Sequence, residues 1–115
     1  MKDWTLVQKR YMRDALPVRL GGLAANLARV KSFSDHDGHR DAVEGLLDES
    51  KFFIEWAAPE AKSDAQAELV ALQVQLARWQ HAWAHIWANP AQRTAVAEQA
   101  GAWSERVLEM SGLLR

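Results

Sequence analysis

Apolar residues recur at alternating steps of three and four along almost the whole chain, the spacing of helices that each bury one face. Leu16, Leu20, Leu23, Leu27 and Val30 make the first long run, and Trp4, Leu6, Val7 and Tyr11 suggest a short leading helix before it. Pro17 disfavours helical geometry at Leu16, so a break or kink is expected there. A second helix is predicted from about His39 to Ala57, with Val43, Leu46, Leu47, Phe53, Ile54 and Ala57 inward and Pro59 closing it. The third begins near Pro59 or Ser63 and carries Leu69, Leu72, Leu76, Trp79, Trp83 and Ile86. Asn89 and Pro90 end it and open a fourth, Asn as cap and Pro at the first helical position. That fourth helix carries Val96, Trp103, Val107, Met110 and Leu114. No stretch alternates apolar and polar residues as a strand would.

Amphipathic helices joined by short links pack by default as an antiparallel bundle. The predicted fold is therefore all-α: an antiparallel four-helix bundle with a short N-terminal leading helix or a kinked first helix. The 115 residues, 49% apolar and 25% charged, suit one globular domain over residues 1–115. The absence of cysteine excludes disulfides, thiol catalysis and cysteine-ligated metal sites.

The net charge of −1 conceals a strong asymmetry. Residues 1–31 hold seven basic and two acidic groups, and residues 32–68 hold three basic and ten acidic. The first expectation is that the basic first helix and the acidic second lie side by side. A second is an acidic docking face, or contact of Lys2, Lys9, Arg10 and Arg13, interleaved with Trp4 and Tyr11, with phosphates or an anionic membrane. Near-zero overall charge argues against a dedicated nucleic-acid binder. The opening residues Met1-Lys2-Asp3-Trp4 do not read as a secretory signal, and the least charged stretch, Leu69 to Ala91, is too polar for a membrane span. A soluble, cytoplasmic protein is expected.

The third helix has two apolar faces. Leu69, Leu72, Leu76, Trp79, Trp83, Ile86 and Trp87 share one side of a projection at about 100° per residue. Opposite them lie Val70, Val74, Ala77, His81, Ala84, His85 and Ala88, where a solvent-facing helix would carry Lys and Glu. A homodimer through that second face is one reading, since two-fold pairing uses a single self-complementary patch. The leading segment covering the face is the other. Phe52 and Trp56 likewise point away from the inner face of the second helix, beside Asp48 and Glu49. They form either an aromatic contact spot with an acidic rim or a pair packed under the leading segment.

Catalytic constellations are missing. His81 and His85 stand one turn apart, but no acid follows nearby and position 82 is Ala, so His-Glu-x-x-His is absent. Asp35, His36, Asp37, His39 and Asp41 cluster before the second helix, but the sixth loop position is Arg40 and the twelfth Leu46, which rules out an EF-hand. Capping of the second helix by Asp35 or Asp37 is the preferred reading over a zinc site using His36 and His39. Neither a nucleophile elbow nor a phosphate loop occurs. Gly21-Gly22 marks close packing or weakness. Trp79, Trp83, Trp87 and Trp103 read as core.

These features predict a non-enzymatic helical protein working through protein contacts as an adaptor, assembly factor or small subunit. It is expected to be homodimeric, with an unidentified protein partner and no cofactor. The alternative is a carrier of a small ligand, tetrapyrrole or metal, using the bundle core or the histidines.

Overall fold

The computed structural model describes residues 2–113; the expectation placed on Leu114 lies outside them. Among the described residues six α-helices follow one another: α1 (Trp4–Met12), α2 (Leu16–Phe33), α3 (Arg40–Ala57), α4 (Ser63–His81), α5 (Trp83–Ala88) and α6 (Pro90–Ser111). Single 3₁₀ turns at Asp37–His39 and Ala58–Glu60 lead into α3 and out of it. The fold is all-helical, with no strand among the described residues.

Local chemistry explains most of the boundaries. Asp3 Oδ1 accepts the Leu6 amide and caps α1. α1 and α2 are separated at Ala15, which is extended. Leu16, the residue directly before Pro17, is already the first of α2, so the break falls one residue earlier than expected. Pro17 sits in the first turn, where its missing amide costs nothing. Asn89 Oδ1 accepts the Ala91 and Gln92 amides, the expected cap of α6 with Pro90 behind it. Gly112 ends α6 at φ 74°, a left-handed conformation that costs glycine nothing.

One boundary departs from the periodicity. The third predicted helix is broken at Ala82, whose φ −102° and ψ 15° lie well outside the helical well. Ala is the best helix former, so nothing at this position announces a break. The turn lets Trp83, Ile86 and Trp87 bury against the rest of the core, and α5 packs beside the start of α6. Packing of three large side chains overrides local propensity here. Trp87 Nε1 donates to Asp37 O at 3.1 Å, tying α5 to the joint before α3.

α2 lies between α6 and α3, and α3 packs in turn against α4. The core runs along these faces: Leu23, Leu27 and Val30 from α2, Val43, Leu47 and Ile54 from α3, Leu69, Leu72 and Leu76 from α4, and Val107 from α6 are all closed to solvent. α2 and α6 approach closely enough for Ser104 Oγ to donate to Ala24 O at 2.7 Å. A Cβ on Gly21 would stand 2.7 Å from Leu113 Cδ1, so this glycine marks close packing rather than weakness.

α1 folds back onto α3. Trp4 lies over Phe52 with ring centroids 4.3 Å apart, and Tyr11 stacks on Phe53 at 3.9 Å. Lys2 Nζ meets Glu49 Oε2 at 2.5 Å, and buried Arg19 meets Glu60 Oε1 at 2.8 Å. Both pairs join the basic first quarter to the acidic second, as the charge asymmetry suggested. Lys9, Arg10 and Arg13 stay exposed, but Trp4 and Tyr11 turn inward and do not interleave with them.

Tyr11 is the only tyrosine, and burial pushes its phenol well above the ordinary value of 10.0. A group whose pKa is raised on folding contributes stability below its unfolded pKa and loses it as pH rises. Stability is therefore expected to fall above about pH 10, with tyrosinate absorbance appearing only together with loss of helix. Tyrosinate formed while the helices remain intact would contradict the buried placement. Tyr11→Phe removes this part of the alkaline loss.

Candidate contact surface

α4 is inserted by its inner residues and bare on its outer ones. Leu69, Leu72, Leu76 and Trp79 are buried, whereas Val70 and Val74 are 49% and 46% exposed. Ala67, Ala71 and Ala77 are exposed beside them, so the middle of the outward face carries no charge. α1 does not cover this face, because it is spent on α3. The covering role offered for the leading segment is thereby corrected. The stacking of Trp4 and Tyr11 on aromatic side chains of α3 draws it there instead.

The break at Ala82 divides the other proposed residues. Val70, Val74, Ala77 and His81 remain on α4, while Ala84, His85 and Ala88 sit on α5 and are exposed there. A single helical projection does not extend across the turn. His81 and His85 consequently belong to different helices, and His85 Nε2 lies 3.2 Å from the Gln92 amide nitrogen.

A surface cleft of about 470 Å³ runs between α3 and α4. Phe52 lines one wall with Asp48, Lys51 and Glu55, and Val74 and Ala77 line the other with Gln73. Two patches that looked separate in the sequence therefore meet across one groove. Phe52 keeps an edge in the cleft although Trp4 covers its other side. Trp56 is half-buried among Tyr11, Phe52 and Phe53 and does not reach the cleft. On the far side of α4, Trp103 is half-buried rather than core and floors a shallower cleft with Gln99, Ala102, Arg106 and Glu68.

Polar groups fix α4 to its neighbours along the cleft. Gln66 donates to Ala58 O, Gln73 to Lys51 O and Gln80 to Asp48 Oδ1, at 2.7, 3.1 and 2.6 Å. The exposed Arg106 guanidinium pairs with Glu68 and holds that carboxyl below its usual range.

The acidic joint before α3 is consumed by the fold. Neither Asp35 nor Asp37 caps α3: its first turn follows a 3₁₀ turn in which His36 Nδ1 accepts the Gly38 amide. Asp37 instead pairs with Arg93 at 2.8 Å, whose guanidinium lies 5.1 Å over the Trp87 ring. His39 Nδ1 donates to Phe33 O at 3.2 Å. Among the described residues, no three His, Asp or Glu side chains gather as a metal site. No helix among them is long and apolar enough to cross a membrane. No family model, curated protein or solved structure matches this chain.

Ala67 and Ala71 belong to the outward face yet escaped the sequence reading, which began that face at Val70. Their signal was their angle on the helix, within one turn of Val70 and Val74, rather than hydrophobicity.

Proposed function

We propose that this chain is a four-helix-bundle contact protein, built on α2, α3, α4 and α6, that works by binding protein through the outward face of α4 and is homodimeric. No residue is assigned a catalytic role. The observation that carries the reading is the uncharged surface of Ala67, Val70, Ala71, Val74 and Ala77, open to solvent in the middle of a 19-residue helix. A lone chain gains nothing from exposing valines where Lys or Glu would improve solubility, and contiguous exposed apolar surface marks contact sites. The adjoining cleft adds Phe52 to the same surface, and aromatic side chains supply much of the binding free energy at interfaces.

The test compares tagged wild-type chain with Val74→Glu, each expressed beside an untagged copy in the native host. Wild type is expected to retain a stoichiometric protein, the untagged copy included, and Val74→Glu to retain less than about a tenth as much, because a carboxylate is costly to bury at an interface. Equal retention by both, with both folded, rules the surface out.

A further inference from the structure

We propose that the outward face of α4 is occupied by a second copy of this chain, with the two α4 helices antiparallel about a two-fold axis at the level of Leu72. This rests on the contact-surface reading above and adds the occupant, the direction and the register.

α4 carries two seams of the same spacing. Leu69, Leu72, Leu76 and Trp79 form the inner one and are buried. Ala67, Val70, Val74, Ala77 and His81 form the outer one, stepping by three and four, and are exposed. At about 100° per residue the outer five fall within about 80° of one another. That spacing is the one by which two helices pack in a left-handed pair. Reversed about a point between Val70 and Val74, the outer seam falls on itself. Val70 then meets the partner's Val74 and Ala67 meets the partner's Ala77, each contact occurring twice.

Charge selects the occupant and its direction. Asp64 and Arg78 lie on the flank of the seam away from α3, 14 residues or about 21 Å apart, with Ala71 midway. Both are exposed, and among the described residues neither forms an ion pair within the chain. On the opposite flank the Gln66, Gln73 and Gln80 amides are already committed to α3 and the turn after it. A copy turned end for end about the level of Leu72 brings its Arg78 within two residues, about 3 Å along the helix, of Asp64, and its Asp64 equally near Arg78, an offset that the long arginine side chain spans. A parallel copy sets each of these charges against the partner's uncharged glutamine flank, where it finds no counter-charge, and a partner of one sign matches only one end of the face. Antiparallel helices also align their dipoles favourably.

The chain lacks cysteine, so introduced thiols report contacts without interference. Ala67→Cys and Ala77→Cys proteins, mixed and oxidised gently, are expected to form a disulfide-linked heterodimer. Neither variant alone should link, because in this register the two copies of residue 67 lie about 15 Å apart, too far for a disulfide. Asp64→Arg and Arg78→Asp are each expected to weaken self-association about tenfold in sedimentation equilibrium, since two attractive pairs become repulsive. Mixing those two variants restores association as a heterodimer, whose charges are again complementary. Ready linking of Ala67→Cys alone overturns the antiparallel direction. A wild-type chain that is monomeric at about 100 µM, a concentration at which even weak pairs form, overturns the second copy as occupant. If that monomer still binds another protein through Val74, the contact-surface reading stands without this inference; if it binds none, both fall.

Discussion

Leu72→Ala is expected to lower the stability of the folded chain by about 3–4 kcal/mol, whereas Val74→Ala, half a turn away, lowers it by less than about 1 kcal/mol at low protein concentration. Leu72 is closed to solvent in the α3-facing core, so its truncation leaves a cavity that packed neighbours only partly fill. Val74 stands on the outward face and is nearly half exposed, so its removal leaves no cavity in a single chain. Thermal or urea unfolding of both variants checks this. For a chain of this length the larger effect corresponds to a fall in Tm of about 10–15 °C. The concentration dependence is equally diagnostic: the Val74→Ala deficit should grow as concentration rises, because association stabilises wild type by mass action, while the Leu72→Ala cavity cost should not. Similar losses at both positions would mean that α4 buries a different face.

Arg19→Ala is expected to cost about 2–4 kcal/mol, a large effect for a charged residue. Arg19 is only 4% exposed and serves two helix ends at once. Its Nε donates to Asp14 O at 3.0 Å just beyond α1, and Nη1 faces Trp56 O at 3.5 Å in the last turn of α3. The carbonyl ends of helices are negative, so one buried guanidinium satisfies both. Its backbone carbonyl also accepts the Tyr11 hydroxyl at 2.7 Å. Arg19→Met should recover the packing of the stem without the donors, and so only part of the loss. Arg19→Lys should also fall short, since a single ammonium cannot reproduce the planar fork. Hydrogen exchange should show α1 amides opening first in both. Wild-type stability in Arg19→Met would show that the guanidinium bonds contribute nothing net.

The Arg19–Glu60 pair gives this joint an acid sensitivity. Arg19 beside Glu60 holds the carboxyl below its ordinary value of 4.5. A carboxyl with a depressed folded pKa contributes stability above its unfolded pKa and loses it as pH falls through the folded one. The contribution is therefore present at neutral pH and fades below about pH 4.5. Glu60 is half exposed, so solvent screens the pair and the guanidinium's backbone bonds carry most of the Arg19 effect.

Much of the inner architecture was legible in the sequence. The inward residues of α3 except Leu46, which is only half-buried, and those placed on the inner face of the third predicted helix, are buried as the three-four spacing implied. Asn89-Pro90 starts α6 because a cap and a ring-fixed φ act within a few residues. The outward residues of α4 were equally legible: Val70, Val74, Ala77 and His81 are exposed on one face. The joint before α3 was misread because an aspartate there can cap a helix or pair with a distant arginine, and Arg93 is not near it in sequence. Trp103 was placed too deep because its position on α6 says nothing of the gap beside α4.

Helical periodicity, capping chemistry and charge asymmetry are local properties of a chain, and they determined the all-helical class, most helix ends and which face of α4 turns inward. Three matters were decided only in the folded molecule: the break at Ala82, the docking of α1 on Phe52 and Phe53, and the meeting of Phe52 with Val74 across one cleft. Each depends on side chains many residues apart competing for the same space. The indoles of α5 outweigh the helical preference of Ala82, and α3's aromatic rings outweigh α4's valines as the seat for α1. Periodicity says that a residue seeks cover, but only tertiary packing says what covers it. For the outer seam of α4, nothing among the described residues does.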